Sequence, residues 1–213
     1  MSQLEQQLAR MLPPRMTIPE PLRQLFSWIE ARGQYVDHKD GRVGFLSPPA
    51  APSVGTNISF HAEGNGDLRH WFGHDRPEVL NRLCVFANTG GDGSMAAFWL
   101  DEQVQQKIVH LGSGSGSGST MVCVLGDDAV DFLRLLAIGY EELCWGEQFS
   151  ELPKANPDSD FEAVPNLEFQ EWVRTSFGVD IPSKGLDVVA HPDDMDSAGS
   201  LDPFNRWVAV SIA

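Results

Sequence analysis

A single domain of mixed helix and strand is predicted from three observations. Residues 83–143 hold a succession of apolar, strand-like runs joined by glycine-rich turns. A strongly apolar helix follows the last run at once. Amphipathic helical stretches and a hairpin pattern flank this unit, with no linker between them. At 213 residues the chain is long enough to bury a core without disulfide or metal staples.

The elements follow in order. Leu4, Leu8, Met11 and Leu12 recur at helical spacing, and Pro13-Pro14 ends that helix. Pro19 to Arg32 is a second helix with Leu22, Leu25, Phe26 and Ile29 as its buried stripe and Gly33 beyond its end. Residues 34–47 read as a hairpin turning at Lys39-Asp40-Gly41. Residues 48–55 form a Pro- and Ala-rich loop, and strand pattern resumes at residues 57–61. The turn at residues 63–67 precedes the aromatic run 68–72, which reads as another strand.

Within the central unit, residues 83–87 are almost continuously apolar, as in a strand buried on both faces. Thr89-Gly90-Gly91-Asp92-Gly93 is a tight turn needing positive φ at a glycine. Residues 94–100, 107–111 and 121–125 are the following strands, the last two joined by the Gly-Ser tract 112–119. Asp127 or Asp128 caps the next helix, whose stripe is Ala129, Phe132, Leu133, Leu136, Ala137, Tyr140 and Leu143. After Trp145 the chain turns acidic, with Phe149, Leu152, Phe161 and Val164 as isolated anchors of a surface loop. Asn166 caps a helix ended by Gly178, and Asp202-Pro203 starts a final one carrying Phe204, Trp207, Val208 and Ile212.

Charge narrows the function classes. The chain carries a net −15, distributed as +1 over residues 1–50, −5 over 51–140 and −11 over 141–213. Nucleic-acid binding needs Lys and Arg to neutralise phosphates, so this balance argues against it; it is compatible with a basic protein partner and equally with solubility alone. Cys84, Cys123 and Cys144 form no CxxC pair and sit in apolar runs, as buried free thiols of a reducing compartment do. No secretory leader and no membrane-length apolar stretch is visible, so a cytoplasmic location is expected.

The motifs that suggest chemistry are weak. The Gly-Ser tract has no Lys and precedes a strand, so it is not a phosphate loop. His70 and His74 are spaced i, i+4, but Trp71-Phe72-Gly73 between them is poor helix sequence and no HExxH glutamate is present. His110 with Ser113 or Asp127 lacks the elbow motif of a hydrolase triad. No catalytic residue, metal or cofactor is predicted. The aromatics Trp99, Tyr140 and Trp145 lie near the acids Asp101, Glu141, Glu142 and Glu147, and an aromatic anchor with an acidic rim suits a basic partner. Asp92, Trp99, Glu141, Glu142, Trp145 and Glu147 are therefore the predicted contact residues.

The runs VFANTGGDGSMAAFWL, KIVHLGSGSGSGSTMVCVL and DDAVDFLRLLAIGYEE together resemble the SUKH superfamily of Smi/Knr-type domains. Gly91-Asp92-Gly93, Val109–Gly112 and Asp131-Phe132-Leu133 fill the places of that pattern, over residues 20–145. The tail with Trp172, Phe177-Gly178 and Trp207 lies outside it. The resemblance implies an α+β fold in one domain. Its sheet would be mixed and curved, of about five or six strands flanked by helices, with residues 146–213 as a C-terminal helical extension. It also implies a non-enzymatic role, with many bacterial members similar to immunity proteins that neutralise a cognate toxin domain, often a nuclease. A general interaction or regulatory module, and a small hydrolase built on His110 or on His70 and His74, are the competing classes.

Overall fold

Among the described residues, seven strands in strict sequence order build one open sheet, each antiparallel to its neighbours. They are β1 Tyr35–His38, β2 Gly41–Phe45, β3 Ser59–Gly64, β4 Leu83–Asn88, β5 Met95–Leu100, β6 Gln106–Leu111 and β7 Val122–Gly126. The computed structural model describes residues 1–50, 54–114, 116–154 and 164–212. Seven α-helices are found among them: α1 Gln3–Met11, α2 Glu20–Ala31, α3 Leu68–Phe72, α4 Pro77–Leu80, α5 Ala129–Ile138, α6 Leu167–Phe177 and α7 Pro203–Ile212. The α+β expectation holds. The sheet differs from the expected one in having seven strands and, among the described residues, no parallel pair. Its connections contain no crossover that returns a strand in the same direction, so consecutive strands pair head to tail. Phe161, expected to anchor the acidic loop, lies outside the described residues.

Residues 68–72 form the helix α3, not a strand. Leu68 and Phe72 are buried while His70 between them is exposed, as one helical face allows; a strand would put residues 68, 70 and 72 on the same side. The other local signals act as read. Gly33 follows α2 at φ +66°, Asp128 caps α5 through the amides of Val130 and Asp131, and the Asn166 side chain accepts from the Phe169 amide.

Both faces of the sheet are covered, which explains the continuous burial of β4 and β5. On one face Phe60, Cys84, Phe86, Phe98, Ile108 and Cys123 pack in a core with Leu4, Leu25, Ile29, Phe132 and Leu136 of α1, α2 and α5. Trp28 of α2 joins α6 to this layer, its ring centroid 5.6 Å from those of Phe169 and Trp172. On the other face Leu83, Val85, Ala97, Trp99, Val109 and Val122 form a second core with Leu68, Phe72 and Val79 of α3 and α4 and Phe204 and Val208 of α7. The last helix, α7, thus shares with α3 and α4 in covering the sheet's second face. None of the helices among the described residues is long and apolar enough to cross a membrane.

Candidate functional site

One end of the sheet collects the residues of interest. The β4–β5 turn, the β6–β7 loop and the segment after α5 all meet there, because α5 runs back antiparallel to β7. Gly139 ends α5 in the left-handed region at φ +95°, and the chain then crosses the β4–β5 turn. The Leu143 amide donates to the Thr89 carbonyl at 3.0 Å. The contact is close: a Cβ on Gly90 would stand 2.6 Å from Cys144 Sγ, so only glycine fits.

Glu142 and Asp92 hold this end together. Glu142 Oε1 accepts from the Gly91 amide at 2.6 Å. Its Oε2 accepts from the Cys144 thiol at 3.3 Å and from the Trp145 indole N–H at 3.4 Å. Asp92 Oδ1 accepts from the Ser94 amide at 2.9 Å. Asp92 Oδ2 accepts from Ser94 Oγ at 2.8 Å, the Ser119 amide at 2.8 Å and Ser113 Oγ at 3.1 Å. Both ends of the Gly-Ser tract are therefore pinned to the Gly-Asp-Gly turn by one carboxylate. Partial burial pushes the Asp92 carboxyl up, but the N–H and O–H donors from Ser119, Ser94 and Ser113 outweigh it and hold the group below its ordinary value.

His110 lies beneath this end, fully buried. Its Nδ1 is 2.8 Å from the Met121 carbonyl, which can only accept, so Nδ1 carries the proton. Nε2 then accepts from Thr89 Oγ1 at 2.9 Å. Burial pushes the imidazole pKa down to about 4, so it stays neutral. No triad forms around it. Both ring nitrogens are occupied, Ser113 donates to Asp92, and Asp127 pairs with Lys107. The two other histidines considered do not share a helix face: α3 ends at Phe72, and His74 lies beyond Gly73 with Nε2 2.8 Å from the Ser211 carbonyl. No cluster of three metal-ligating side chains exists among the described residues.

Five of the six predicted contact residues converge. Asp92, Glu141, Glu142 and Trp145 are half-buried at this end, and Glu147 is exposed on the adjoining 3-10 turn Gly146–Ser150. Trp99 does not belong with them. It is 2% exposed and faces the second core, with ring centroids of Phe204 and Trp207 at 5.1 and 5.7 Å. Tyr140, grouped with the same acids, is 2% exposed; its hydroxyl donates to the Glu151 carbonyl at 2.7 Å and accepts from the Gly185 amide at 2.9 Å. Trp99 is core because β5 is covered on both faces, and Tyr140, just past the end of α5, because Phe149 and Gly185 pack against it.

The structure adds the acidic segment from Asp193 to Asp202, which is distant in sequence. The Val122 amide donates to the Asp193 carbonyl and the Met195 amide to the Thr120 carbonyl, each at 2.8 Å. Thr120 Oγ1 donates to Asp194 Oδ1 at 2.9 Å. Asp194 and Asp196 are exposed, so this loop extends the acidic end beside the Gly-Ser tract. The only sequence signal for it was the run of acids. Compared with known proteins, the chain matches no family model, no curated protein and no solved structure.

Proposed function

We propose that this protein is a non-enzymatic binding protein of the SUKH type, in which the acidic loop end docks a basic protein partner. The partner class that fits best is a cognate toxin domain of nuclease type, whose cationic substrate-binding surface an acidic protein would occupy in place of nucleic acid. The observation that carries the reading is convergence. Acids from three separate segments, at Asp92, at Glu141 to Glu147 and at Asp194 to Asp196, share one end of the sheet, with the Trp145 ring half-exposed among them. Glu147, Asp194 and Asp196 are exposed acids at that end, with Asp194 Oδ1 also accepting from Thr120, and a basic side chain can replace the water on them. Asp92 and Glu142 shape the surface from inside, since their oxygens already accept from this chain's own donors.

The test is a titration against the toxin domain encoded beside the protein's own gene. A one-to-one complex is expected, weakened by salt. The double reversal Glu147→Lys with Asp194→Lys should weaken it by about tenfold or more. Absence of binding, or binding indifferent to both salt and charge reversal, would overturn the proposal. Weak binding to many unrelated proteins would favour a general interaction module instead.

A further inference from the structure

A groove of about 620 Å³ opens at the opposite end of the sheet, between α1, the β1–β2 hairpin and β3. Met11, Val43 and Ala62 make part of its lining apolar. Its charged lining reverses the character of the chain. On a protein of net charge −15, the groove carries three cations, Arg10, Lys39 and Arg42, against two acids, Asp40 and Glu63.

The cations are not equally committed. Arg42 lies over the Tyr35 ring, 3.5 Å from its centroid, and pairs with Asp37 at 2.8 Å. Among the described residues Lys39 pairs only with its neighbour Asp40, at 3.8 Å, with both side chains more than four-fifths exposed. Arg10 is exposed and makes no ion pair among the described residues. Gln7 spends its Oε1 on the Arg42 amide at 3.0 Å, so the rest of its amide can only donate. The polar groups left over are mostly donors.

The acid in the groove is a weak counter-charge. Burial, with Asp67 as a neighbouring carboxyl, pushes the Glu63 pKa up to about 7, so much of it is the neutral acid near neutral pH. Glu63 Oε2 faces His61 Nδ1 at 3.3 Å. The β3–β4 register shifts between Phe60 and Gly64, so His61 and Glu63 sit on an irregular stretch, where sheets commonly re-aim side chains at a site. A pocket of this size with an apolar wall and a few converging polar groups is the usual form of a small-molecule site.

We propose that this groove binds a small organic carboxylate with an apolar body. Arg10 and Lys39 hold the carboxylate at the mouth, and the apolar body lies along Met11, Val43 and Ala62. The inference is independent of the acidic end, which lies across the sheet.

Octanoate, titrated into the full chain and followed by amide chemical shifts, is the probe. Saturable shifts at Gly41, Arg42, Ala62 and Glu63 are expected, with a Kd of about 1 mM or below. Octylamine has the same apolar body and the opposite charge, and should leave those amides in place. Arg10→Glu should weaken octanoate binding about tenfold, as loss of a charge-assisted contact does, and Arg174→Glu on α6 should not. Arg10 is exposed, so the fold does not depend on it. No shifts by about 10 mM octanoate, shifts outside the groove, equal binding of octylamine or indifference to Arg10→Glu would each overturn the proposal.

Discussion

The buried imidazole of His110 makes stability depend on pH in a way that one substitution should remove. The ring is 0% exposed and neutral in the folded chain, with Nδ1–H donated to Met121 and Nε2 accepting from Thr89. Its pKa is about 4 when folded and 6.5 when free. The unfolded chain therefore binds a proton that the folded chain refuses. The stability this secures is complete above pH 6.5 and is lost as pH falls through 4. The loss should reach about 2 kcal/mol by about pH 5 and about 3 kcal/mol by about pH 4. Glutamine offers both a donor and an acceptor on one side chain but has no proton to gain, so His110→Gln is the perturbation. The assay is urea unfolding of both proteins by tryptophan fluorescence at about pH 7.5, 6 and 5. Other carboxylates titrate in both proteins and cancel in the difference. The wild-type midpoint should fall relative to the variant by about 1 M urea between about pH 7.5 and 5. Parallel curves for the two proteins would refute the reasoning, since they would mean that the imidazole is solvated or already charged in the fold.

Two further substitutions test the architecture. Phe204→Ala empties the contact between α7 and Trp99 in the second core, and should cost about 3–5 kcal/mol in chemical unfolding if that helix is integral to the domain. An unchanged midpoint would mean that α7 is only appended. Asp92→Ala removes the shared acceptor of the Ser94 and Ser119 amides, and should cost about 1–3 kcal/mol. Faster amide hydrogen exchange at Ser119, with the β4 and β6 interiors unchanged, is the expected signature, and unaltered exchange at Ser119 would contradict the pinning role.

Local chemistry made most of the elements legible, and long-range geometry hid most of the site. Helix ends could be read because a cap acts within a few residues: Asn166 and Asp128 accept the first-turn amides, and Gly33, Gly139 and Gly178 take the left-handed turns that end α2, α5 and α6. Leu68 to Phe72 misled because Leu68 and Phe72 share a face in either period, and only the exposure of His70 midway between them decides. Trp99 misled for a different reason. Its neighbour Asp101 suggested an acidic rim, but Trp99 lies near the far end of β5, away from the Gly-Asp-Gly turn.

The site itself depends on register and length rather than on motif. Met95 pairs with Leu111 and Ala96 with His110, and this alignment brings Asp92 beside Ser113 and Ser119. The ten residues of α5 span about 15 Å and the five of β7 about 17 Å. The helix therefore returns the chain to the level at which β7 began. That match in length sets Glu142 over Gly91, some fifty positions away in sequence, and makes one surface of two acidic segments. Lengthening α5 by a full turn would carry Glu141 and Glu142 about 5 Å beyond the turn that they now cover. The spacing from the Gly-Asp-Gly turn to the acidic pair is thus a structural constraint, although neither segment alone shows it.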